Sequence, residues 1–100
     1  MIARLAPHEA LPARYRAFLD ALRARGFEGG IDDGHDARTV FSTDNSIYQR
    51  FPQAAVFPRH AADVQKVAAL AAEPEYRQIV MAARGGGTGT NGQSLGEGLV

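Results

Sequence analysis

The sequence contains no cysteine, its charges cancel, and it has no long apolar run. The absence of cysteine excludes disulfide bonds, thiolate catalysis and cysteine-ligated zinc or iron–sulfur centres within these residues. The 11 basic and 11 acidic residues leave no excess positive field of the kind that drives binding to nucleic acid or to a membrane surface. No apolar run approaches the roughly 20 residues that span a bilayer, and the N-terminus lacks a signal-peptide pattern. We therefore expect a cytoplasmic protein without nucleic-acid or membrane partners.

The apolar residues, 45% of the chain, are enough for one modest core. In the N-terminal part they recur at the spacing of one helix face, at Leu11, Tyr15, Phe18, Leu19 and Leu22. Pro12 suits the first turn of such a helix, and Gly26 suits its end. The pattern predicts an amphipathic helix that packs on a core, preceded by a loose lead-in over residues 1–8.

Residues 28–46 are rich in turn formers, so we expect mostly loop there, with a short extended piece at Thr39–Ser42. Four side chains in this stretch have the types found at cation sites, namely Asp32, Asp33, His35 and Asp36. They lack the glutamate and the other features of a calcium loop, which favours a solvated acidic surface. The sequence assigns no metal ligand and no catalytic residue.

The order strand, helix, strand follows. Ala54–Phe57 is a short apolar run before Pro58, and Ile79–Ala83 is a second one. Between them lies a helical stripe, ended by Pro74, that consists of Val64, Val67, Ala68 and Ala71, with Leu70 beside it. The fold class predicted is α/β (α+β), an N-terminal helix followed by a βαβ unit with parallel strands and a right-handed crossover. Leu99–Val100 is expected to begin a third strand, whose open edge would cause self-association.

A glycine-rich loop comes directly after the second predicted strand. Glycine allows positive φ and close approach of a ligand to the backbone. Successive N–H groups in such a loop converge on an anion, typically a phosphate. The candidate cofactor-binding residues are Arg84, Gly85, Gly86, Gly87, Thr88, Gly89, Thr90, Asn91, Gly92 and Gln93.

Three other interpretations of this loop are a dinucleotide-binding fingerprint, a Walker-type loop and a turn that binds no ligand. Residues 87–92 match the dinucleotide fingerprint GxGxxG, and residues 87–94 match the Walker A spacing with Gln93 in place of lysine. Both motifs require a helix that begins directly after the loop. Gly96 and Gly98 lie at that point and prevent such a helix. A nucleotide-binding module with a degenerate Walker-type loop that does not hydrolyse its ligand stays open as the alternative, as does a loop that binds nothing.

The run RGGGTGTNGQSL resembles the pyrophosphate-binding loop of FAD-linked oxidases with the PCMH-type (vanillyl-alcohol-oxidase-like) fold. The preceding segment is similar to the S-T-D-x-S-x-Y stretch, strand and proline of those proteins, at positions Ser42, Thr43, Asp44, Ser46, Tyr48 and Pro58. The resemblance covers roughly residues 38–100. It is strongest to the large bacterial FAD-linked oxidases related to D-2-hydroxyglutarate and D-lactate dehydrogenases. His60 stands where these sequences often have a serine helix cap.

The resemblance implies that Gly85–Gln93 wraps the pyrophosphate of a non-covalent FAD through backbone N–H groups. Arg84 either neutralises that pyrophosphate or pairs with a surface acid. The parent protein would oxidise a small D-2-hydroxy acid, of the 2-hydroxyglutarate or lactate type, with its catalytic residues and any iron–sulfur cluster outside this chain. Residues 1–37 would form an N-terminal helix and acidic loop, and residues 38–100 the first part of an FAD-binding domain truncated at the C-terminus. The chain alone is expected to be inactive.

Overall fold

A computed structural model describes residues 11–100, so the predicted lead-in at residues 1–8 lies outside the described residues. The elements, in chain order, are helix α1 (Ala13–Ala24), strand β1 (Gly30–Asp32), helix α2 (His35–Val40), strand β2 (Ala55–Phe57), helix α3 (Ala61–Ala71) and a 3₁₀ turn (Pro74–Tyr76). None of the helices in this part of the chain has the length and apolar character that a membrane-spanning segment needs.

Helix α1 confirms the first prediction from apolar spacing. Pro12 occupies its N-cap position, and Gly26 follows its end with a φ of 85°, in the left-handed region that glycine adopts without strain. Its inward face consists of the predicted side chains Tyr15, Phe18, Leu19 and Leu22. Phe18, Leu19 and Leu22 are completely buried, and burial of a side chain of this size contributes about 1.5–3 kcal/mol.

The stretch predicted to be mostly loop contains β1 and α2, so the extended piece expected at Thr39–Ser42 is wrong. The tertiary contacts of Arg38 explain the helix that forms instead. Arg38 is buried, its Nε donates to the carbonyl of Pro52 (2.8 Å), and its guanidinium lies 4.6 Å from the ring centroid of Phe51. Because these partners are distant in sequence, the local composition did not signal the helix.

The strands differ from the predicted parallel pair. The two-stranded sheet is β1 against β2, antiparallel, with Gly30 opposite Phe57. The strand expected at residues 79–83 is reduced to a single bridge at Met81. Ala54 and Met81 each form a parallel bridge with Leu99, so the two predicted strand segments do not pair with each other. The C-terminal segment lies between them, which local patterns could not indicate.

The C-terminal segment is therefore not the open edge that the sequence suggested. On one side, Val100 N donates to Ala54 O (3.1 Å). On the other, Leu99 N donates to Val80 O (2.9 Å) and Leu99 O accepts from Ala82 N (2.8 Å). Self-association of the chain stays a prediction, but the edge at Leu99–Val100 through which it was expected is hydrogen-bonded on both sides.

In the described residues, one hydrophobic core lies under α1. It joins that helix to the segment around β2, to α3 and to the C-terminal segment, and its buried members outside α1 are Ala54, Leu70, Ile79 and Leu99. Tyr76, from the 3₁₀ turn, packs edge-on against Phe18 with ring centroids 5.3 Å apart. The core thus contains residues from both sides of the predicted 37/38 boundary, and the division into two regions stays a prediction.

Helix α3 presents a different face to the core than its apolar stripe predicts. Val67 packs partly against the core, but the fully buried residues are Leu70 and Asp63. Val64 and Ala68 are exposed and line an apolar groove of about 370 Å³ between α3 and the parallel bridges. The helix is rotated in this way because Asp63 faces inward to accept backbone hydrogen bonds.

The close approach of the C-terminal segment to its neighbour depends on Gly98. A Cβ at this position would lie 2.1 Å from the carbonyl oxygen of Val80, whereas a Cβ at Gly30 would meet Phe57 Cδ2 at an ordinary 3.6 Å. We predict that Gly98→Ala lowers the free energy of unfolding by about 1–3 kcal/mol or more, because backbone must move to relieve the clash. Gly30→Ala is the control and should change it by less than about 0.5 kcal/mol. Urea unfolding followed by circular dichroism measures both, and equal stability of the two variants would contradict the described bridge.

Candidate functional site

The glycine loop follows Met81 and ends at Leu99, and these two residues are joined by a parallel bridge. Two of its glycines, Gly87 (φ 70°) and Gly92 (φ 77°), have left-handed backbone conformations that other residues rarely adopt. Gly89 does not, although a Cβ there would lie 2.2 Å from Nε2 of Gln93. Positive φ therefore explains only part of the glycine content of the loop.

The backbone conformation does not require glycine at Gly85 or at Gly86. A Cβ on Gly85 would meet nothing within 4 Å, and one on Gly86 would meet only Cγ2 of Thr88, at 3.7 Å. Neither residue has a positive φ. Packing within the described residues thus does not require glycine here, whereas close approach of a ligand to the backbone would require it.

The backbone N–H groups of this part of the loop are available as donors. Within residues 11–100, none of the N–H groups from Gly85 to Thr90 donates to a backbone carbonyl. The loop uses carbonyl oxygens for its contacts instead, since Gly87 O and Thr88 O accept hydrogen bonds from Asn45. A run of N–H groups without acceptors on an exposed loop is suited to bind an anion.

Arg84 adds a cationic donor at the start of the loop. Its Nη2 donates to Thr43 O (2.8 Å), and its guanidinium carbon lies 5.2 Å from the ring centroid of Phe41. Its Nη1 is buried and has no hydrogen-bond partner in the part of the chain that the structure describes. No salt bridge joins Arg84 to a carboxylate among those residues. A buried charged donor without an acceptor is unfavourable, and a bound anion would satisfy it.

Two cavities flank the loop. One, of about 140 Å³, lies beside Arg84 and Gly85 and is closed by Phe41, Phe57 and neighbouring apolar residues. The other, of about 250 Å³, is lined by Tyr48, Arg50, Asn91, Gly92 and Leu95. The loop thus has an apolar space on one side and a polar space on the other.

Asp44, from the S-T-D-x-S-x-Y stretch, ties the far end of the loop down. Its Oδ1 accepts from the N–H of Ser46 (2.7 Å), and its Oδ2 accepts from the hydroxyl of Ser94 (3.0 Å). Hydrogen bonding from Ser46 above all, with smaller contributions from Ser94 and the charge of Arg84, holds the pKa of Asp44 below its ordinary value. Asp44 therefore stays an anion and an acceptor at neutral pH.

Asn45 and Tyr48 support the middle of the loop. Asn45 N donates to Gly87 O (3.2 Å), and its Nδ2 lies 3.5 Å from Thr88 O. A Cβ at Gly92 would lie 3.0 Å from Cδ2 of Tyr48, so the tyrosine ring packs directly under that glycine. This stretch carries part of the resemblance to FAD-linked oxidases, but the resemblance implied no role in the site for its residues. The sequence feature that could have indicated their supporting role is the close spacing of the polar residues Asp44, Asn45 and Tyr48.

The predicted site residues from 84 to 93 thus share one exposed loop, but they do not all face a ligand in the same way. Gln93 turns back over Gly89, and its Oε1 accepts from Asn91 N (3.1 Å). The donors without backbone acceptors are concentrated between Arg84 and Thr90. This first part of the loop is the better anion site.

A second polar cluster lies at the start of α3 and caps the N-terminus of that helix. Ligand-type atoms of Glu28, His60 and Asp63 all lie within 4.8 Å of one another, close enough to hold a metal ion. These atoms are already engaged: His60 Nδ1 accepts from Asp63 N (3.3 Å), and the Asp63 oxygens accept from Glu28 N (3.0 Å) and Arg59 N (2.9 Å). The N-terminal end of a helix is also its positive end. The cluster serves as a helix cap, with His60 in the role that serine often fills.

Curated dehydrogenases match this sequence over its full length, whereas no protein-family model matches it. The D-2-hydroxyglutarate dehydrogenase of Pseudomonas putida is 57% identical over 100 residues, which are 100% of this chain and 10% of that protein. The protein of the same name from Pantoea ananatis is 46% identical over the same coverage. That from Escherichia coli is 49% identical over 83 residues, 83% of this chain and 8% of its own length.

The chain is therefore homologous to one segment of a class of large oxidoreductases, and it spans about a tenth of the length of the relatives that it matches. Those relatives are D-2-hydroxyglutarate dehydrogenases. The predicted resemblance to large bacterial proteins related to D-2-hydroxyglutarate dehydrogenase is confirmed.

The helix cap at Asp63 gives a testable pH dependence. Burial acts to raise the pKa of Asp63, but the hydrogen bonds from Glu28 and Arg59 outweigh it and hold that pKa below its ordinary value. Because the folded-state pKa is lowered, the ionised carboxylate stabilises the fold above about pH 4 and loses this effect as pH falls through the folded-state pKa. We predict that Asp63→Asn lowers the melting temperature at about pH 7 and that the difference from the unsubstituted chain shrinks toward about pH 2.

Exposed Asp20, whose one ion pair within residues 11–100 is with Arg23 in α1, provides the control. Asp20→Asn should leave the melting temperature nearly unchanged, since such surface pairs contribute little. A rise of many degrees in the melting temperature of the unsubstituted chain on addition of Zn²⁺, lost in Asp63→Asn, would show instead that the cluster is a metal site.

Proposed function

We propose that this chain is the first part of the FAD-binding region of a flavin-dependent dehydrogenase that oxidises a D-2-hydroxy acid. The observation that carries the proposal is the group of unused donors between Arg84 and Thr90, which combines free N–H groups with a buried guanidinium nitrogen. The names of the relatives support 2-hydroxyglutarate as the substrate type. The resemblance of the sequence leaves a substrate of the lactate type as the alternative.

The described residues fit a pyrophosphate by charge and by space. Its oxygens would accept from the N–H groups of Gly85–Thr90, and Nη1 of Arg84 would find an anionic acceptor. Gly85 and Gly86 leave their side-chain space empty for it. The apolar cavity beside Phe41 and Phe57 borders Arg84, and the polar cavity beside Tyr48 borders Gly92, so both leave open space next to the loop for the parts of the dinucleotide nearest its pyrophosphate.

FAD, when bound, supplies the acceptor for the hydride that leaves the α-carbon of the hydroxy acid. The residues of this chain have a holding role in that reaction. Arg84 and the loop N–H groups would hold the pyrophosphate, and the contacts of Asp44 and Asn45 would keep the loop in place around it. We assign no proton transfer to this chain, and we place the acid, the base and any iron–sulfur cluster in the remaining length of the protein.

The Walker-type alternative is less well supported. A Walker loop points its phosphate at the N-terminus of a following helix. No helix begins between Gln93 and Val100, and Gln93 itself turns back onto Asn91 rather than outward as the Walker lysine does. No separate observation favours a nucleoside triphosphate.

For the sheet, we propose that the parallel bridges of Leu99 to Ala54 and Met81 are the start of a parallel sheet that the remaining chain completes. The exposed side chains of Val80 and Met81 and the apolar groove beside α3 support this proposal. Long apolar edges of this kind are usually covered in larger domains.

Binding of FAD to the chain itself tests the proposal. One loop cannot enclose a dinucleotide, so we expect a Kd no tighter than the high micromolar range, about −5 to −6 kcal/mol. Gly85→Val should raise this Kd by about tenfold or more, because its side chain would occupy the space where the pyrophosphate approaches the backbone. Its free energy of unfolding should change little, since a Cβ there contacts nothing within 4 Å. Titration monitored by flavin fluorescence measures the affinity.

Gln78→Ala, at an exposed position outside the loop and outside both cavities beside it, is the control and should bind FAD as the unsubstituted chain does. Unchanged affinity in Gly85→Val, with the chain folded, would remove the pyrophosphate assignment from this part of the loop.

A further inference from the structure

We propose that Asn45 is a positioning residue that sets the direction of two loop peptides, so that the N–H groups of Thr88 and Gly89 become the central anion donors. The inference rests on the proposed function and makes it more specific. It starts from two contacts: Asn45 N donates to Gly87 O (3.2 Å), and Asn45 Nδ2 lies 3.5 Å from Thr88 O. One residue outside the loop thus contacts two successive carbonyl groups within it.

Peptide geometry converts these contacts into donor directions. In a trans peptide, the C=O of one residue and the N–H of the next point in opposite directions. The structure contains no cis peptide in its described residues. With Gly87 O held toward Asn45, the N–H of Thr88 must point away from it. With Thr88 O held toward the Asn45 amide, the N–H of Gly89 must also point away from Asn45.

The two N–H groups that are turned outward have no competing acceptor. Neither donates to a backbone carbonyl in the described residues, and Gly89 has no left-handed φ that would explain its glycine. The side chain of Gln93 lies on the Cβ side of Gly89, where its Oε1 accepts from Asn91 N (3.1 Å) and not from Thr88 or Gly89. Two adjacent amides directed to the same side are the minimal anion-binding arrangement of a backbone nest.

The same outer segment also orients the charged donor. Thr43 O, two residues before Asn45, accepts from Nη2 of Arg84 (2.8 Å), which leaves Nη1 as the unpartnered nitrogen. Asp44, between them, holds Ser94 (3.0 Å). Three consecutive residues therefore fix the start, the middle and the end of the loop, and Asn45 is the one that contacts the peptides of the donors themselves.

Amide NMR of the ¹⁵N-labelled chain tests the role of Asn45, with inorganic diphosphate and then FAD as the probes. In the unsubstituted chain, we expect the Thr88 and Gly89 amide signals to shift most on addition of either probe. Asn45→Leu keeps a similar side-chain volume but removes the donor. It should raise the Kd for diphosphate by about threefold to tenfold, the effect of one lost hydrogen bond. The shifts at Thr88 and Gly89 should diminish selectively, while those at Gly85 and Gly86 persist.

Asn45→Ala serves as a second variant that decides the matter if Asn45→Leu does not fold. The exposed amide Gln78, outside the loop, gives the matched control Gln78→Ala, which should bind diphosphate normally. A general loss of loop structure would diminish all the loop shifts together, and it would overturn the specific role of Asn45.

The outcomes separate the two proposals. If the loop signals shift equally in the unsubstituted chain, in Asn45→Leu and in Asn45→Ala, the inference about Asn45 is overturned. The proposed pyrophosphate loop is not affected by that result. The absence of loop shifts with both probes would overturn the proposed function and the inference together.

Discussion

The parallel bridge between Met81 and Leu99 is the contact on which the rest of the site depends. The glycine loop follows the first of these residues and ends at the second, so this bridge closes the loop at its base. It forms only because Gly98 has no side chain to collide with the carbonyl of Val80. Leu99 also bridges Ala54, which connects the base of the loop to the core under α1. A glycine-rich segment that would otherwise be mobile therefore has two fixed ends.

The loop depends on a brace for its shape, since its own N–H groups between Gly85 and Thr90 form no backbone hydrogen bonds in the described residues. Asp44 and Asn45 provide the brace from a distant part of the chain. They satisfy carbonyl and hydroxyl groups of the loop and leave its N–H groups and one nitrogen of Arg84 unused. Such a preorganised set of donors lowers the free-energy cost of binding an anion, because the donors need not be reoriented.

Much of this arrangement follows from the sequence, and the exceptions share one cause. Apolar spacing predicted α1, β2 and α3, and glycine content predicted the loop at residues 84–94. Helix α2 was missed because it depends on the distant contacts of Arg38, and the inward face of α3 was misjudged because Leu70 lies beside the apolar stripe. The position of Leu99 between two earlier segments, and the brace by Asn45, are also contacts between residues far apart in sequence. Local patterns carry no information about them.

The central claim is that this chain begins the binding region for a non-covalent FAD, and the visible absorption spectrum of the full-length protein tests it most directly. The account predicts a protein that is purified with a flavin spectrum and releases the flavin into solution on denaturation. Replacement of Gly85 by valine should yield a folded but colourless protein. A full-length protein that is folded and free of flavin, and that does not take up added FAD, would contradict the account.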